Sequence, residues 1–451
     1  MAPAVQSRIA TPDLATHASV SIARAGFPAS ESHEHRAQFS AEAILNANDG
    51  FRSRDENVYY NLHWEDVHAV NVVRRAGPIF ELPNAPAIEL PALQVKAPWG
   101  VTSLAELVED ERSRVQGLIV TRRGEVIYER YPGMRDNDNH IWFSMSKTLP
   151  STLLAILEAQ GRLDVSKPVA DFLPAAADTA WSAIPVIDVL DMASGLDVAE
   201  TPDTMLTRDH KVSKHFRLSL GGDAIPRSEI DAGNWTSADL VLAMDRKPGG
   251  RSGQVFEYSS INTQLLVMLV EQITGARFAE VLSEYVWSVI GAEGDALMGV
   301  SREGEALSGG MMNSRLRDLA RYGMLFTPAG RRAFGARAAR AWGLPSQPDL
   351  AERMRESCRP SLHQAACELG GGYFNRPTDP DVVGNSWQWD VVYGDGDMFK
   401  GGVAGQGLYV SPSRDMVVAL FSTGYTGWLE LARAIALANL SNGGEPRNEE
   451  E

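Results

Sequence analysis

His140-Ile-Trp-Phe-Ser144-Met-Ser-Lys147-Thr-Leu149 decides how the rest of this 451-residue chain is read. A serine and a lysine stand three residues apart, directly before the apolar run Thr152-Leu-Leu-Ala-Ile-Leu-Glu158. Positions i and i+3 share one face of a helix. A helix beginning near Ser144 sets its hydroxyl beside the Lys147 ammonium and over the free N–H groups of the first turn. That suits a nucleophile which must lose a proton and then hold charge nearby. Alone the pattern is weak, because most such serines are helix caps with a solvated lysine close by. Pro150 is awkward: two turns into a helix that starts at Ser144, it removes a backbone hydrogen bond, at about 3 kcal/mol in a helix interior. A kink is expected there.

Bulk properties narrow the class. At roughly 100–200 residues per domain, the length implies two or three structural units and a large core. Hydrophobic content is 44% and charged content 22%, which reads as a globular protein. The net charge of -16 repels nucleic acid and anionic membrane, and its plain reading is solubility. The two cysteines, Cys358 and Cys367, fit no metal-ligand spacing and read as free thiols in a reducing compartment. The first ten residues lack the apolar core of a signal peptide, and no 18-residue apolar run occurs. A cytoplasmic protein is expected.

Residues 1–100 read as an N-terminal extension, partly disordered, packed on the main body. Within it Asn57-Val-Tyr-Tyr-Asn-Leu-His-Trp64 and Val67-His-Ala-Val-Asn-Val-Val73 carry the aromatic and β-branched residues of ordered segments. Pro78, Pro83, Pro86, Pro91 and Pro98 then mark an extended connector. His33 and His35 lie in a polar stretch and read as solvated rather than as metal ligands. Thr102 to Glu111 predicts a capped helix, and Gln116 to Tyr131 a hairpin turning at Arg122-Arg-Gly-Glu125. Short helices are expected over Pro185–Met192 and Ser237–Met244, and longer ones over Ile261–Thr274 and Ala279–Val289. Residues 197–235, with Asp209, His210, Lys211 and His215, read as an irregular loop that helps wall a pocket. Leu307-Ser-Gly-Gly310 predicts a turn, followed by a helix capped at Asn313 or Ser314. The C-terminal third reads as β-rich: a strand over Ser386–Tyr393, a hairpin over Gly407–Phe421, then a helix from Trp428 to Leu440. The fold class is α/β, more strictly α+β. An antiparallel sheet from both ends of the chain (101–183 and 300–441) is flanked by helices, with a helical subdomain inserted (184–299) and a tail at 442–451. The Ser144 segment then lies between the two, where clefts form.

Three short motifs follow in order: Ser144-x-x-Lys147, Tyr258-Ser-Ser260 and Lys400-Gly-Gly402. Their order and flanks resemble the serine β-lactamase and DD-peptidase superfamily, whose members carry Ser-x-x-Lys, Tyr-x-Asn and Lys-Thr-Gly. The likeness covers roughly residues 100–440. It is closest to the esterase and amidase branch of the class C-like group, and within it to the 6-aminohexanoate-dimer hydrolase family. Supporting stretches are Val189-Leu-Asp-Met-Ala-Ser-Gly-Leu196, Asn313-Ser-Arg-Leu-Arg-Asp-Leu-Ala-Arg-Tyr-Gly323 and Gly402-Val-Ala-Gly-Gln-Gly-Leu-Tyr-Val-Ser-Pro412. Ser260 stands where β-lactamases carry Asn, and Gly401 where they carry Thr. Both departures suit the esterase and amidase branch.

The resemblance implies a serine hydrolase cleaving a small ester or linear amide. Ser144 attacks the acyl carbonyl and forms an acyl-enzyme. Lys147 acts either as the base or as a charge that depresses the Tyr258 pKa. Tyr258 serves as base and later protonates the leaving group. The backbone N–H groups of Ser144 and Val403 form the oxyanion hole. Lys400, Gly402, Ser260 and Asp209 are candidates for contacting substrate. Lys400 either steers a substrate carboxylate or merely solvates the strand edge. Other readings are an acyltransferase on the same fold, a weak β-lactamase or D-aminopeptidase-type peptidase, and a non-catalytic scaffold. No cofactor or metal is implied, no nucleic-acid or membrane partner is expected, and a homodimer is an arrangement the resemblance allows. The absence of a Gly-x-Ser-x-Gly elbow excludes the α/β-hydrolase alternative.

Overall fold

The computed structural model describes residues 55–66, 68–221, 235–369, 380–424 and 427–440. The expected disorder before residue 55, the pair His33 and His35, part of the pocket-walling loop (222–234) and the tail 442–451 lie outside the described residues. In chain order the strands are β1 (Val70–Val73), β2 (Gln94–Ala97), β3 (Gly100–Ser103), β4 (Val115–Arg122), β5 (Glu125–Arg130), β6 (His140–Ile141) and β7 (Ala296–Gly299). They continue as β8 (Met312–Ser314), β9 (Val382–Ser386), β10 (Trp389–Tyr393), β11 (Met398–Gly402), β12 (Gln406–Ser411) and β13 (Met416–Ser422). The main sheet has seven strands in the order β5-β4-β13-β12-β11-β10-β9, all pairs antiparallel. A four-stranded sheet, β1-β7-β8-β6, stands apart from it, and β2-β3 form a small ribbon.

Both faces of the main sheet are covered, and the sequence alternation shows how. Val417, Ala419 and Phe421 of β13 join the larger core with the helices Thr148–Ala159, Ser260–Thr274 and Leu316–Met324. Met416, Val418 and Leu420 face the other way, under the helices Leu104–Glu109 and Trp428–Leu437. Successive side chains of a strand point to opposite faces, so a strand buried on both sides reads as a continuous apolar run.

Several local expectations change. Ser144 does not begin the long helix. Phe143–Lys147 form a tight 3-10 turn, and the α-helix starts at Thr148. Pro150 is then the third helical residue, where its missing N–H would have had no partner within the helix, so no bond is lost. Residues 197–221 are not irregular: helices span Pro202–Leu206 and Lys211–Gly221. The helix after Ser308-Gly-Gly310 is Leu316–Met324, preceded by β8 and by Arg315 without a side-chain cap. Ser386–Tyr393 is not one strand. It turns between β9 and β10 at Trp387 and Gln388, whose φ values are 49° and 70°. Two consecutive left-handed residues make the mirror-image hairpin turn, normally supplied by Asn-Gly. Here buried bonds hold it: Trp387 N to Asp191 Oδ1 at 3.0 Å and Gln388 N to the Leu190 carbonyl at 2.9 Å. Helices over Pro328–Trp342, Leu350–Glu356 and Pro360–Glu368 occupy a region expected to be β-rich. Among the described residues no helix is long and apolar enough to cross a membrane.

Candidate active site

The turn that carries Ser144 follows β6, which pairs with β8 at His140–Ser314 and Ile141–Asn313. Phe143 takes φ +45°, a conformation that a non-glycine side chain adopts only when its surroundings impose it. The imposition is visible. Trp142 N donates to the Met312 carbonyl at 2.8 Å and its indole to Ser314 Oγ at 2.9 Å. Ser146 is buried; its hydroxyl accepts from Met312 N at 3.1 Å and its carbonyl accepts from Ser308 Oγ at 2.8 Å. Ser144 is left partly exposed at the rim of this fixed turn.

Lys147 is buried, with its Nζ 3.0 Å from Ser144 Oγ and a second bond to the Gly309 carbonyl. Burial pulls its pKa down from 10.5 to about 8; Glu200 and Asp390 oppose the fall and Lys400 adds to it. Tyr258 is brought in by the stretch before the helix Ser260–Thr274. Its ring lies against both ammonium groups, 5.1 Å from Lys147 Nζ and 4.8 Å from Lys400 Nζ, and its hydroxyl interacts with Ser144. Burial drives the phenol pKa well up, Asp390 and Glu200 push it further, and Ser144 works against them. The tyrosine is therefore a protonated phenol at neutral pH, while the lysine loses its proton near pH 8.

Lys400 is neither a solvated edge residue nor an unpaired cation. It is fully buried on β11, with Nζ 2.5 Å from Asp390 Oδ1. Burial lowers its pKa and Asp390 counters that. The other Asp390 oxygen accepts from Gly401 N at 3.0 Å, so one carboxylate ties down two consecutive residues of the third motif. Gly402 has no room for a side chain: a Cβ there would stand 2.5 Å from the Trp142 carbonyl. The end of β11 thus abuts the strand that delivers Ser144. Val403 follows at an exposed turn, with Ala404 at φ +65°. Ser260 is buried beside Gly309, where a Cβ would come 3.2 Å from its own. Its backbone N–H donates to Glu200, and Glu200 N donates to the Tyr258 carbonyl at 2.9 Å. Asp209 is exposed, and among the described residues no contact joins it to Ser144, Lys147 or Tyr258.

Sequence reasoning missed Glu200, Asp390 and the Gly309 carbonyl. The two carboxylates looked like any surface acid, and the signal for Asp390 was only its place in a run of strand residues. His215 is buried, and burial, with a smaller contribution from the Lys147 charge, lowers its imidazole to about 4. Leu362 and Ala366 of Pro360–Glu368 pack with Phe256, and Tyr258 lies against that cluster. Among the described residues no group of three or more His, Cys, Asp or Glu side chains is placed to hold a metal.

Comparison with known proteins bears on the family and the fold. The 6-aminohexanoate-dimer hydrolase of Paenarthrobacter ureafaciens is 28% identical over 344 residues, 76% of this chain and 79% of that one. Among solved structures, a Bacillus anthracis protein assigned as a 6-aminohexanoate-dimer hydrolase superposes with a TM-score of 0.67 at 20% identity, covering 88% of this chain and 95% of that one. EstCE1, a hydrolase with promiscuous acyltransferase activity, does so with a TM-score of 0.52 at 16% identity, over 74% and 96% of the two chains. The beta-lactamase family model matches residues 103–440, a span that holds all three motifs, and the chain therefore belongs to the beta-lactamase family of serine hydrolases.

Proposed function

We propose that the protein hydrolyses a small carboxylic ester or linear amide through an acyl-enzyme on Ser144. The observation that carries this is the 3.0 Å contact between Ser144 Oγ and a buried Lys147 whose pKa is lowered to about 8. Neutral Lys147 takes the hydroxyl proton as Ser144 Oγ bonds to the acyl carbon. The carbonyl oxygen gains the negative charge and sits on the N–H groups of Ser144 and Val403. The carbon–leaving-group bond then breaks, and the proton reaches the departing oxygen or nitrogen from Lys147 through the Tyr258 hydroxyl. Water reverses the sequence and releases the acid. Of the two roles open to Lys147, the base is favoured, since the raised Tyr258 pKa leaves little phenolate.

The Lys400–Asp390 pair supports a neutral substrate. Lys400, the cation expected to meet a substrate carboxylate, is already paired with Asp390 inside the protein. The relative from Paenarthrobacter ureafaciens supports a linear amide. A cytoplasmic setting fits the two free cysteines. The test is turnover of p-nitrophenyl butyrate and of a linear amide dimer by wild type and Ser144→Ala. Complete loss in the variant is expected, and equal turnover by both would overturn the assignment. Added alcohol or amine acceptors report any transfer, by the ratio of ester or amide product to free acid.

A further inference from the structure

The segment before the matched family region packs against Phe143 and hydrogen-bonds to Thr423, which lies next to a residue that holds the Val403 turn. Tyr60 and Trp64 share a buried cluster with Ile141, Phe143, Leu307 and Met311. Phe143 is the left-handed residue directly before Ser144. The cluster is rigidly built. Tyr60 and Trp64 meet edge to face at 4.9 Å, Trp64 stacks on His68 at 3.8 Å, and Tyr60 OH lies 3.1 Å from His68 Nε2. Gly299 makes room for it, since a Cβ there would stand 3.0 Å from Trp64 Nε1 and 2.7 Å from Met311 Cβ.

The helix Asp55–Leu62, which carries Tyr60, also reaches Thr423 through Asn61. Its buried Nδ2 donates to Thr423 Oγ1 at 3.1 Å, and that hydroxyl donates to Gln116 Oε1 at 2.7 Å. Next to Thr423, Gly424 N donates to the Ala404 carbonyl at 2.8 Å, in the turn that carries Val403. Gln406 closes that turn, donating to the Ser422 carbonyl at 2.8 Å and the Val403 carbonyl at 3.3 Å.

We propose that Asn61, Tyr60 and Trp64 are positioning residues that set the spacing between the Ser144 and Val403 N–H groups. The inference rests on the acyl-enzyme reading above. An oxyanion hole works only when its donors are fixed before charge develops, and a strained residue such as Phe143 persists only where packing over-determines it. The Asp55–Leu62 helix and the Trp64 turn after it pack beside the Ser144 turn and connect, through Thr423 and Gly424, to the Val403 turn, so loosening them disturbs the transition state more than the bound substrate.

The test compares Asn61→Ala and Trp64→Leu with Leu431→Ala, a core truncation in the helix Trp428–Leu437 on the other face of the sheet. Trp64→Phe, which keeps a ring in the cluster, serves as the conservative rescue. Each is assayed for melting temperature, kcat and KM on p-nitrophenyl butyrate, and the rate of Ser144 labelling by a fluorophosphonate. Asn61→Ala and Trp64→Leu should lose about tenfold in kcat and in labelling rate with KM within twofold, a fraction of the roughly 10²–10³-fold loss on removing a donor outright. Leu431→Ala should keep its kcat at an equal or larger fall in melting temperature, and Trp64→Phe should recover most of the rate. Folded Asn61→Ala with wild-type kcat and labelling rate would overturn the proposal. So would losses that merely track melting temperature across all variants. Wild type that labels normally separates these outcomes from failure of the acyl-enzyme reading. Wild type that never labels overturns that reading and the proposal together.

Discussion

Replacing Lys147 by methionine should abolish turnover and yet stabilise the folded protein at neutral pH. The ammonium is buried, and its pKa falls from 10.5 to about 8 on folding. At 1.36 kcal/mol per pKa unit, keeping the proton on at pH 7 costs about 3 kcal/mol. The folded pKa is the lower one, so between pH 8 and 10.5 the unfolded chain binds more protons, and stability rises with pH across that window. By pH 10 the penalty is below about 1 kcal/mol. Lys147→Met removes it and retains an unbranched apolar side chain of similar length. The Gly309 carbonyl and Ser144 hydroxyl lose their donor, which returns about 1–2 kcal/mol at any pH. The net expectation is a gain of about 1–2 kcal/mol at pH 7 that vanishes or reverses by pH 10. Thermal unfolding of both proteins at the two pH values measures it, at roughly 1 °C per kcal/mol for a chain of this length. A difference that does not change with pH, or a variant less stable at pH 7 than at pH 10 relative to wild type, would refute the reasoning.

Three further outcomes follow from the same cluster. The acid limb of kcat/KM should lie near pH 8, where Lys147 loses its proton. Glu200→Gln removes a charge that raises that pKa, so the limb should move to lower pH in a pH–rate profile; a shift to higher pH would contradict it. Asp390→Asn strands a buried ammonium and should destabilise by about 3–5 kcal/mol in thermal unfolding, most of it recovered in Lys400→Met/Asp390→Leu. Equal stability of the single and double variants would sink the pair as a structural unit. Gly402→Ala drives a methyl into the Trp142 carbonyl, so kcat should fall by about tenfold or more while circular dichroism stays native; unchanged kcat would show that β11 need not lie so close.

Local patterns were readable where one physical rule dominated. The apolar, β-rich runs over residues 115–130 and 406–422 are hairpins, each broken by a short polar turn between two strands that pair antiparallel. The apolar run over Ser260–Thr274 is a helix, capped at Ser259. Trp387 and Gln388 show where reading failed. Their alternation continues a strand pattern, and no Asn or Gly marks the turn. The turn exists because Asp191, almost two hundred residues earlier, receives the Trp387 N–H. Pro150 misled for a similar reason: whether a proline breaks a helix depends on where the helix starts. That start was fixed by the Trp142 and Ser146 bonds to β8, not by Ser144 itself.

The sequence by itself determined the chemistry that could be assembled: a serine and lysine at i and i+3, a tyrosine, and a lysine before two glycines, in a fixed order. Residue type and spacing are local properties, and they set which nucleophile and proton acceptors were at hand. Tertiary structure alone decided the state of those groups. Burial takes Lys147 to about 8 and the Tyr258 phenol upward, and Asp390, on the neighbouring strand, neutralises Lys400. The energy of a charge depends on the solvent it has lost and on the charges folded against it, and a chain carries neither until it is packed.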